Sequence, residues 1–399
     1  MKGGQVRVAV VGQGFMGRAH SFAWARTAQL ALGGPTSGPT SSPVPVLAVL
    51  CGRDKERLER NASRWGFAAT SDDWRAAVER QDVDLVDVCL PGAAHAEVAI
   101  AALEGGKHVL CEKPLANTVE EAQNMAAVAA AATSKGRFAM VGFNYRRVPA
   151  LALARRLIVE EGRLGEVRHV RARYLQDWLV DPGFPLSWRL DAAQAGSGAL
   201  GDLGAHAIDL VRYLTEDEIV EVAALCETFV RERPLPAASE GLSAIAAGTA
   251  RGKVSVDDAA VAVGRLGNGG LVTLEATRMA PGLKNALQIE LNGSSASVSF
   301  DLERLNELNW YEPGPLPEGW RRLLVTEHSD PYVAQWWPPG HVLGWEHTFV
   351  HQCQDLLAAI AEGRQPRPSF ADGLAVQEVL GAVARSSNER RFLPLGEAQ

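Results

Sequence analysis

Long apolar runs are missing from this chain. No hydrophobic stretch approaches the roughly 20 residues that a bilayer-spanning helix needs, which excludes an α-helical membrane protein. Cysteine is scarce: Cys51, Cys89, Cys111, Cys226 and Cys353 are odd in number and scattered, with no Cys-x-x-Cys pair. A disulfide scaffold and a thiolate zinc site are thereby excluded, no metal is expected, and the thiols read as small apolar core groups, three of them in or beside strands. Basic charge is not in excess either, since 40 Lys and Arg stand against 47 Asp and Glu for a net charge of -7. That balance disfavours a polyanionic partner such as nucleic acid. The opening MKGGQVRVAVVGQGF has no charged leader, long apolar core and small-residue cleavage site in succession, so the expectation is a cytoplasmic protein.

What is present is an ordinary globular composition, 47% hydrophobic and 22% charged over 399 residues. Single cores stop growing near about 250–300 residues, so two domains are expected. The first third alternates short β-branched runs (6–11, 46–50, 85–90, 108–111, 138–142) with helical patterns (17–30, 54–65, 72–79, 94–104, 119–134), the mark of βαβ units and a parallel sheet. A Pro/Gly/Ser/Thr stretch at 33–45 has no residues with which to build a core and reads as a surface insertion. After Asn144 the pattern changes: a helix at 150–161 introduces strands at 166–175, 221–228, 259–266, 270–277, 286–292 and 296–300, with Asn268-Gly269 as a hairpin turn. A helical tail follows over 346–390. The expected fold is α/β plus α+β, with a parallel sheet over 1–144 and an open, mainly antiparallel sheet domain over 145–399.

Three motifs carry chemistry. Gly12-Gln13-Gly14-Phe15-Met16-Gly17 follows a strand directly and opens a helix, the context of a dinucleotide-binding Rossmann turn. Gly12 permits the tight turn, Gly14 lets the backbone approach a pyrophosphate, and Gly17 lets helix and strand close up, with free helical N–H groups facing the phosphates. An acid that would bind the ribose hydroxyls is absent at the end of the second strand, where Cys51-Gly52-Arg53-Asp54 stands. Arg53 is therefore a candidate partner for a 2′-phosphate, and the cofactor expectation is NAD or NADP with a lean to NADP; Asp54 reads as a helix N-cap. The second motif, Cys111-Glu112-Lys113-Pro114-Leu115, lies at the carboxyl end of a strand, where ligands of an open α/β sheet collect. Lys113 there can stabilise a developing alkoxide, and Pro114 sets an extended or cis backbone. The third runs from Gly196 to Asp209, its glycines letting the backbone pass close to a ligand. Asp202 and His206, four apart on a helix, share a face and suit proton transfer, while Asp209 stays open between cap, ion pair and support.

Taken in order, GQGFMG at 12–17, CEKPL at 111–115, FNYRR at 143–147 and SWRLDAAQAGSGALGDLGAHAIDL at 187–210 resemble the glucose-fructose oxidoreductase, inositol dehydrogenase and MocA (Gfo/Idh/MocA) family over essentially the whole chain. The resemblance implies oxidation of a secondary hydroxyl of a sugar, anhydrosugar or cyclitol, or reduction of the matching ketone, with Lys113, Asp202 and His206 as catalytic residues. It further implies cofactor contacts from Gly12, Gly14, Phe15, Met16, Gly17, Arg53, Pro91, His95, Glu112 and Lys113, His95 facing the nicotinamide. YLQDW at 174–178, SWR at 187–189 and the Pro-rich insertion point within the family to its anhydrosugar and inositol dehydrogenases. By that likeness Tyr145, Gln176, Trp188 and Arg189 line the sugar site with Asp202 and His206. Asn144 and Arg146 fit cofactor contacts and a hinge equally. Two rival activities share the scaffold: a glycosidase that oxidises its sugar transiently, and a cofactor-binding sensor without catalysis. A homodimer or homotetramer is expected through the open sheet. Trp310, Trp320, Trp336, Trp337 and Trp345 crowd one region, suited to sugar faces or to packing and subunit contact.

Overall fold

The computed structural model describes residues 4–32, 43–240, 243–314 and 317–396; most of the expected Pro-rich insertion, 33–42, lies outside them. The chain divides into two compact units. The first comprises Met1–Asn144, Glu240–Ser243 and Trp345–Ala375, the second Tyr145–Ser239, Ala244–Gly344 and Val376–Gln399.

In the first unit, β1 (Gln5–Val11), α1 (Phe15–Leu32), β2 (Val44–Cys51), α2 (Lys55–Trp65), β3 (Ala69–Ser71), α3 (Trp74–Glu79), β4 (Leu85–Val88), α4 (His95–Glu104), β5 (His108–Cys111), α5 (Val119–Thr133) and β6 (Ala139–Val141) alternate as the periodicity requires. The six strands form a parallel sheet in the order β3-β2-β1-β4-β5-β6. Strands covered on both sides are mainly apolar, and Val8, Ala9, Val10 and Val11 in β1 and Leu85, Val86 and Val88 in β4 are all buried, with Asp87 the one buried acid among them. Strand order reverses between β1 and β4, so the two loops at their carboxyl ends diverge and leave a crevice. Helix starts are fixed locally: Asp54 accepts the Arg57 N–H at 3.1 Å, as its N-cap reading requires, and Thr118 with Glu121 completes a capping box on α5.

The second unit holds α6 (Pro149–Arg155), β7 (Val167–Leu175), α7 (Ala192–Ala195), α8 (Ala205–Thr215), β8 (Ile219–Glu227), β9 (Glu232–Glu240), β10 (Ser243–Lys253), β11 (Ala259–Leu266), β12 (Leu271–Thr277), β13 (Ala286–Gly293), β14 (Ser297–Asp301), β15 (Glu307–Tyr311) and β16 (Arg321–Leu324). Nine strands make one sheet, β16-β15-β14-β13-β7-β12-β11-β8-β17, with β17 at Leu393–Pro394; its pairs are antiparallel except β7 with β12. Inward and outward residues alternate, and α8 covers one face over β7, β12 and β13. The other face exposes Arg171, Arg173, Val261, Val263 and Leu271. Gly269, at φ +91°, makes the expected hairpin turn between β11 and β12. The pair β9–β10 was not legible: Pro234 and Pro236 argue against a central strand, yet a two-stranded ribbon tolerates them.

The chain then returns to the first unit. α9 (His347–Glu362) packs on α1, Phe349 lying 5.3 Å from the His20 ring, and Val141 N–H reaches the Pro368 carbonyl at the edge of β6. α10 (Phe370–Glu389) passes its residues from Val376 onward to the second unit. The division is therefore not the single cut after 144 expected from the sequence, because the apolar side of α1 and the β6 edge are completed by residues more than 200 positions away.

Candidate active site

The glycine turn of the first unit is shaped by contacts that no side chain could share. Gly12 sits at φ +121°, and a Cβ on it would come 2.2 Å from the Cys89 carbonyl oxygen; one on Gly17 would come 1.9 Å from the carbonyl oxygen of Gly12. Gly14 differs: it is exposed, and a Cβ there would meet no protein atom within 4 Å. Backbone room is thus kept where a pyrophosphate must come close, at the positive end of an 18-residue helix. These residues fit a dinucleotide. Gln13 ties the turn to the end of β2, its amide donating to the Asp54 carbonyl at 3.1 Å, and Arg53 is exposed beside it. Phe15, 43% exposed, stacks on Trp345 at 5.7 Å, and Met16 is half-buried.

Two further loops follow β4 and β5. Pro91 accepts the Ala94 N–H in a 3-10 turn leading to His95. The His95 ring is buried, with Nδ1 3.0 Å from the Pro114 carbonyl and Nε2 2.9 Å from that of Leu90, so its polar atoms are committed to bracing these loops. The Lys113-Pro114 peptide is cis and Lys113 is half-buried. Glu112 is buried and accepts the Lys113 backbone N–H at 3.2 Å. Beneath it, His20 bridges Asp87 and Glu112 at 2.9 Å each, and Trp24 donates to Asp87 at 2.7 Å. His20, Asp87 and Cys89 offer ligand atoms within 4.8 Å of one another, a spacing a cation could use, but His20 and Asp87 already bond each other, Glu112 and Trp24. Burial pushes the Cys89 thiol upward, which keeps it protonated and a poor ligand.

In the second unit, Asp202 lies not on a regular α-helix, as expected, but on one π-helical turn, Leu200–Gly204, that feeds α8 and begins it one residue before His206. Such turns recur at functional sites because they re-aim side chains. Arg278, only 1% exposed at the end of β12, donates to Asp202 at 2.9 Å and so fixes a carboxylate that is itself 28% exposed. His206 is buried, its ring 4.5 Å from that of Tyr145 and 5.9 Å from that of Tyr174. A polar chain continues from there: the Tyr145 and Tyr174 hydroxyls are 2.9 Å apart, Tyr174 donates to Asn285 at 2.6 Å, Gln176 to Asn285 at 2.8 Å, and Trp178 to Gln176 at 2.9 Å. Burial and the Tyr145 hydroxyl raise Tyr174 well above the usual phenol range, so it stays a donor. Trp188 and Arg189 are half-buried on a 3-10 turn, the guanidinium 4.4 Å over the ring.

The structure brings Tyr145, Gln176, Asp202 and His206 into this unit, whereas Lys113 and the glycine turn belong to the first. Two readings change. The close approach at Gly198 is to protein, since a Cβ would lie 1.7 Å from the Asp257 carbonyl while the Asp257 carboxylate accepts the Gly198 and Leu200 N–H groups at 2.7 and 2.8 Å. The tryptophans form no single cluster: Trp310 is buried in β15, Trp320 lies on Tyr311, and Trp345 belongs to the first unit. Asp209 resolves as a buried ion pair with Arg146, 2.6–3.1 Å apart, and Asn144 donates to Thr348 at 2.7 Å. Sequence reasoning missed Arg278, Asn285, Tyr174, Asp257 and His20 as site residues. Arg278 and His20 each left a trace, one as a cation ending a strand and the other three residues beyond Gly17.

A parallel sheet opened by a glycine turn, followed by a large mixed sheet presenting an Asp-x-x-x-His turn, defines a dinucleotide-binding oxidoreductase. Residues 6–143 match the oxidoreductase family with an NAD-binding Rossmann fold, and residues 152–299 match the GFO/IDH/MocA C-terminal domain. The chain is 39% identical over 392 residues to levoglucosan dehydrogenase of Pseudarthrobacter phenanthrenivorans, covering 97% of each. Among solved structures, an oxidoreductase domain protein from Kribbella flavida is similar at a TM-score of 0.91 and 53% identity (98% of this chain, 100% of that one). A levoglucosan dehydrogenase in complex with NADH and levoglucosan is similar at 0.89 and 37%, with the same coverage. This chain belongs to the Gfo/Idh/MocA family of oxidoreductases. No described helix is long and apolar enough to cross a membrane.

Proposed function

We propose that this protein interconverts a secondary hydroxyl and a ketone on a pyranose or anhydrosugar of the levoglucosan type, with NAD or NADP as the redox partner. The observation that carries the reading is the Asp202 and His206 pair on its π-turn, held by Arg278 and flanked by the Tyr145–Tyr174–Asn285–Gln176 chain. Hydroxyls and amides in series suit a polyhydroxylated ring, and Trp188 adds an apolar face for its C–H surface. Gly12, Gly14, Phe15, Met16 and Gly17 would hold the dinucleotide, with Arg53 at the adenosine end and Pro91 and the Glu112–Lys113 loop toward the nicotinamide. When bound, the cofactor supplies the acceptor for hydride. His206 takes the hydroxyl proton, Lys113 holds the oxygen as charge develops, and Asp202 orients the imidazole or a neighbouring hydroxyl; reduction reverses these roles.

The NADH complex of a relative favours NAD, while the exposed Arg53 in place of an acid accommodates NADP. Steady-state absorbance at 340 nm with levoglucosan, inositols and common pyranoses, each with NAD and NADP, tests both substrate class and cofactor. Lys113→Ala and His206→Ala should each lose turnover by two orders of magnitude or more while NADH still binds, in keeping with general acid–base effects of about 10²–10⁴. Full turnover in either variant sinks the assignment. Catalytic sugar cleavage without net NADH release favours the glycosidase, and ligand binding without any turnover favours the sensor. A second copy of this chain is the partner proposed for the sheet face carrying Val261, Val263 and Leu271, checked by sedimentation. Five free cysteines accord with a cytoplasmic setting.

A further inference from the structure

The helix that follows the cofactor turn and the lysine loop are joined by a buried ionic relay. His20 is 1% exposed, Asp87 0% and Glu112 4%, so two carboxylates and an imidazole share a site shielded from bulk solvent. Nδ1 of His20 faces Asp87 at 2.9 Å and Nε2 faces Glu112 at 2.9 Å. A ring nitrogen lone pair turned toward a carboxylate oxygen at that distance would be repelled, so both nitrogens donate, and the imidazolium between two anions removes most of the cost of burying them. Burial alone would lower the His20 pKa, but the Asp87 carboxylate raises it well above the ordinary value. The groups facing the ring are Asp87 from β4, Cys89 just after it, Glu112 after β5 and Phe349 from α9, with Trp24 one turn along α1 binding Asp87.

The relay has a direction. Gly17 docks α1 against the turn, His20 three residues on reaches the ends of β4 and β5, and the Glu112 oxygen left over accepts the Lys113 backbone N–H at 3.2 Å. The carboxylate is also backed by Gly142, where a Cβ would come 2.9 Å from Oε1. Glu112 is thus clamped on both oxygens, one by the helix that follows the glycine turn and the other by the residue proposed for catalysis. We propose that His20 and Glu112 are positioning residues for Lys113: the buried His20–Glu112 contact fixes the backbone from which the lysine side chain is presented. This inference rests on the assignment of Lys113 made above.

The test is a double-mutant cycle on kcat, with levoglucosan and NAD, across Lys113→Ala, His20→Asn, Glu112→Gln and the two doubles containing Lys113→Ala. His20→Asn keeps one donor for Asp87, and Glu112→Gln keeps the size of the side chain, so that if one variant fails to fold the other completes the cycle. Each single change at 20 or 112 should lower kcat on the order of 10²-fold, the scale of a misplaced reacting group, and in His20→Asn NADH affinity by fluorescence should be unchanged. Added to Lys113→Ala, neither should lower residual turnover further, because the group being positioned is gone. Losses that multiply in the doubles mark a general structural weakening and overturn the proposal. An inactive Lys113→Ala beside fully active His20→Asn and Glu112→Gln overturns the positioning role alone, whereas a fully active Lys113→Ala overturns the site assignment and this inference with it.

Discussion

Acid should weaken the first unit through one histidine. His108 opens β5, is 3% exposed, accepts the Phe138 backbone N–H on Nδ1 at 3.1 Å and lies against the Phe138 ring. That bond requires a lone pair on Nδ1, and burial, with Arg137 nearby, lowers the pKa from 6.5 to about 4. The folded protein therefore refuses a proton that the unfolded chain accepts. Stability from this group is complete above 6.5 and is lost as pH falls toward the folded value. At 1.36 kcal/mol per pH unit the shift amounts to roughly 3 kcal/mol, a large share of a typical domain's stability. Urea unfolding at a series of pH values between about 7 and 4 measures the loss in the native protein and in His108→Asn, which keeps an acceptor near Nδ1 but does not titrate. The variant should lose less stability over that interval by the same roughly 3 kcal/mol. Parallel pH curves for the two proteins would refute the reasoning.

Three further outcomes are expected. Gly17→Ala places a methyl against backbone rather than a movable side chain and should weaken NADH binding about tenfold or more, equivalent to about 1.4 kcal/mol; an unchanged fluorescence titration would count against the packing argument. Arg278→Gln leaves Asp202 without its buried partner and should cost about 3 kcal/mol of stability, with turnover falling further than NADH affinity; full turnover at an unaltered melting temperature would remove Arg278 from the site. Asn285→Ala unhooks Tyr174 and Gln176 together and should raise the substrate KM with little change in kcat, so a pure kcat loss would contradict a binding role.

The parallel sheet was legible because its strands are buried on both faces and its turns carry obligatory glycines, so local pattern and global fold agree. Boundaries in the antiparallel sheet were nearly as clear where side chains alternate, and lost where Pro234 and Pro236 or the Pro- and Trp-rich segment broke the period. The chemical candidates were visible as motifs, but their supports were not. Arg278 finds Asp202 across 76 positions, Asn285 finds Tyr174 across 111, and His20 finds Glu112 across 92. Contacts of that separation are set by strand order, which a single sequence does not reveal, and the same holds for His95, whose ring nitrogens turned out to be spent on backbone carbonyls.

Trp345–Ala375 returns to the first unit before the chain ends in the second, so the two units interleave along the sequence, and this bears on how the protein is born. A ribosome that has released only residues 1–144 has made every strand of the parallel sheet but neither α9, which packs on α1, nor the segment at Pro368 that meets the β6 edge. The nascent nucleotide-binding half must wait for some two hundred residues of foreign sheet before its own last helix arrives. Expressing the first 144 residues alone, at the very place where the motif pattern changes, should therefore yield a fragment that elutes as aggregate on gel filtration instead of a free-standing domain.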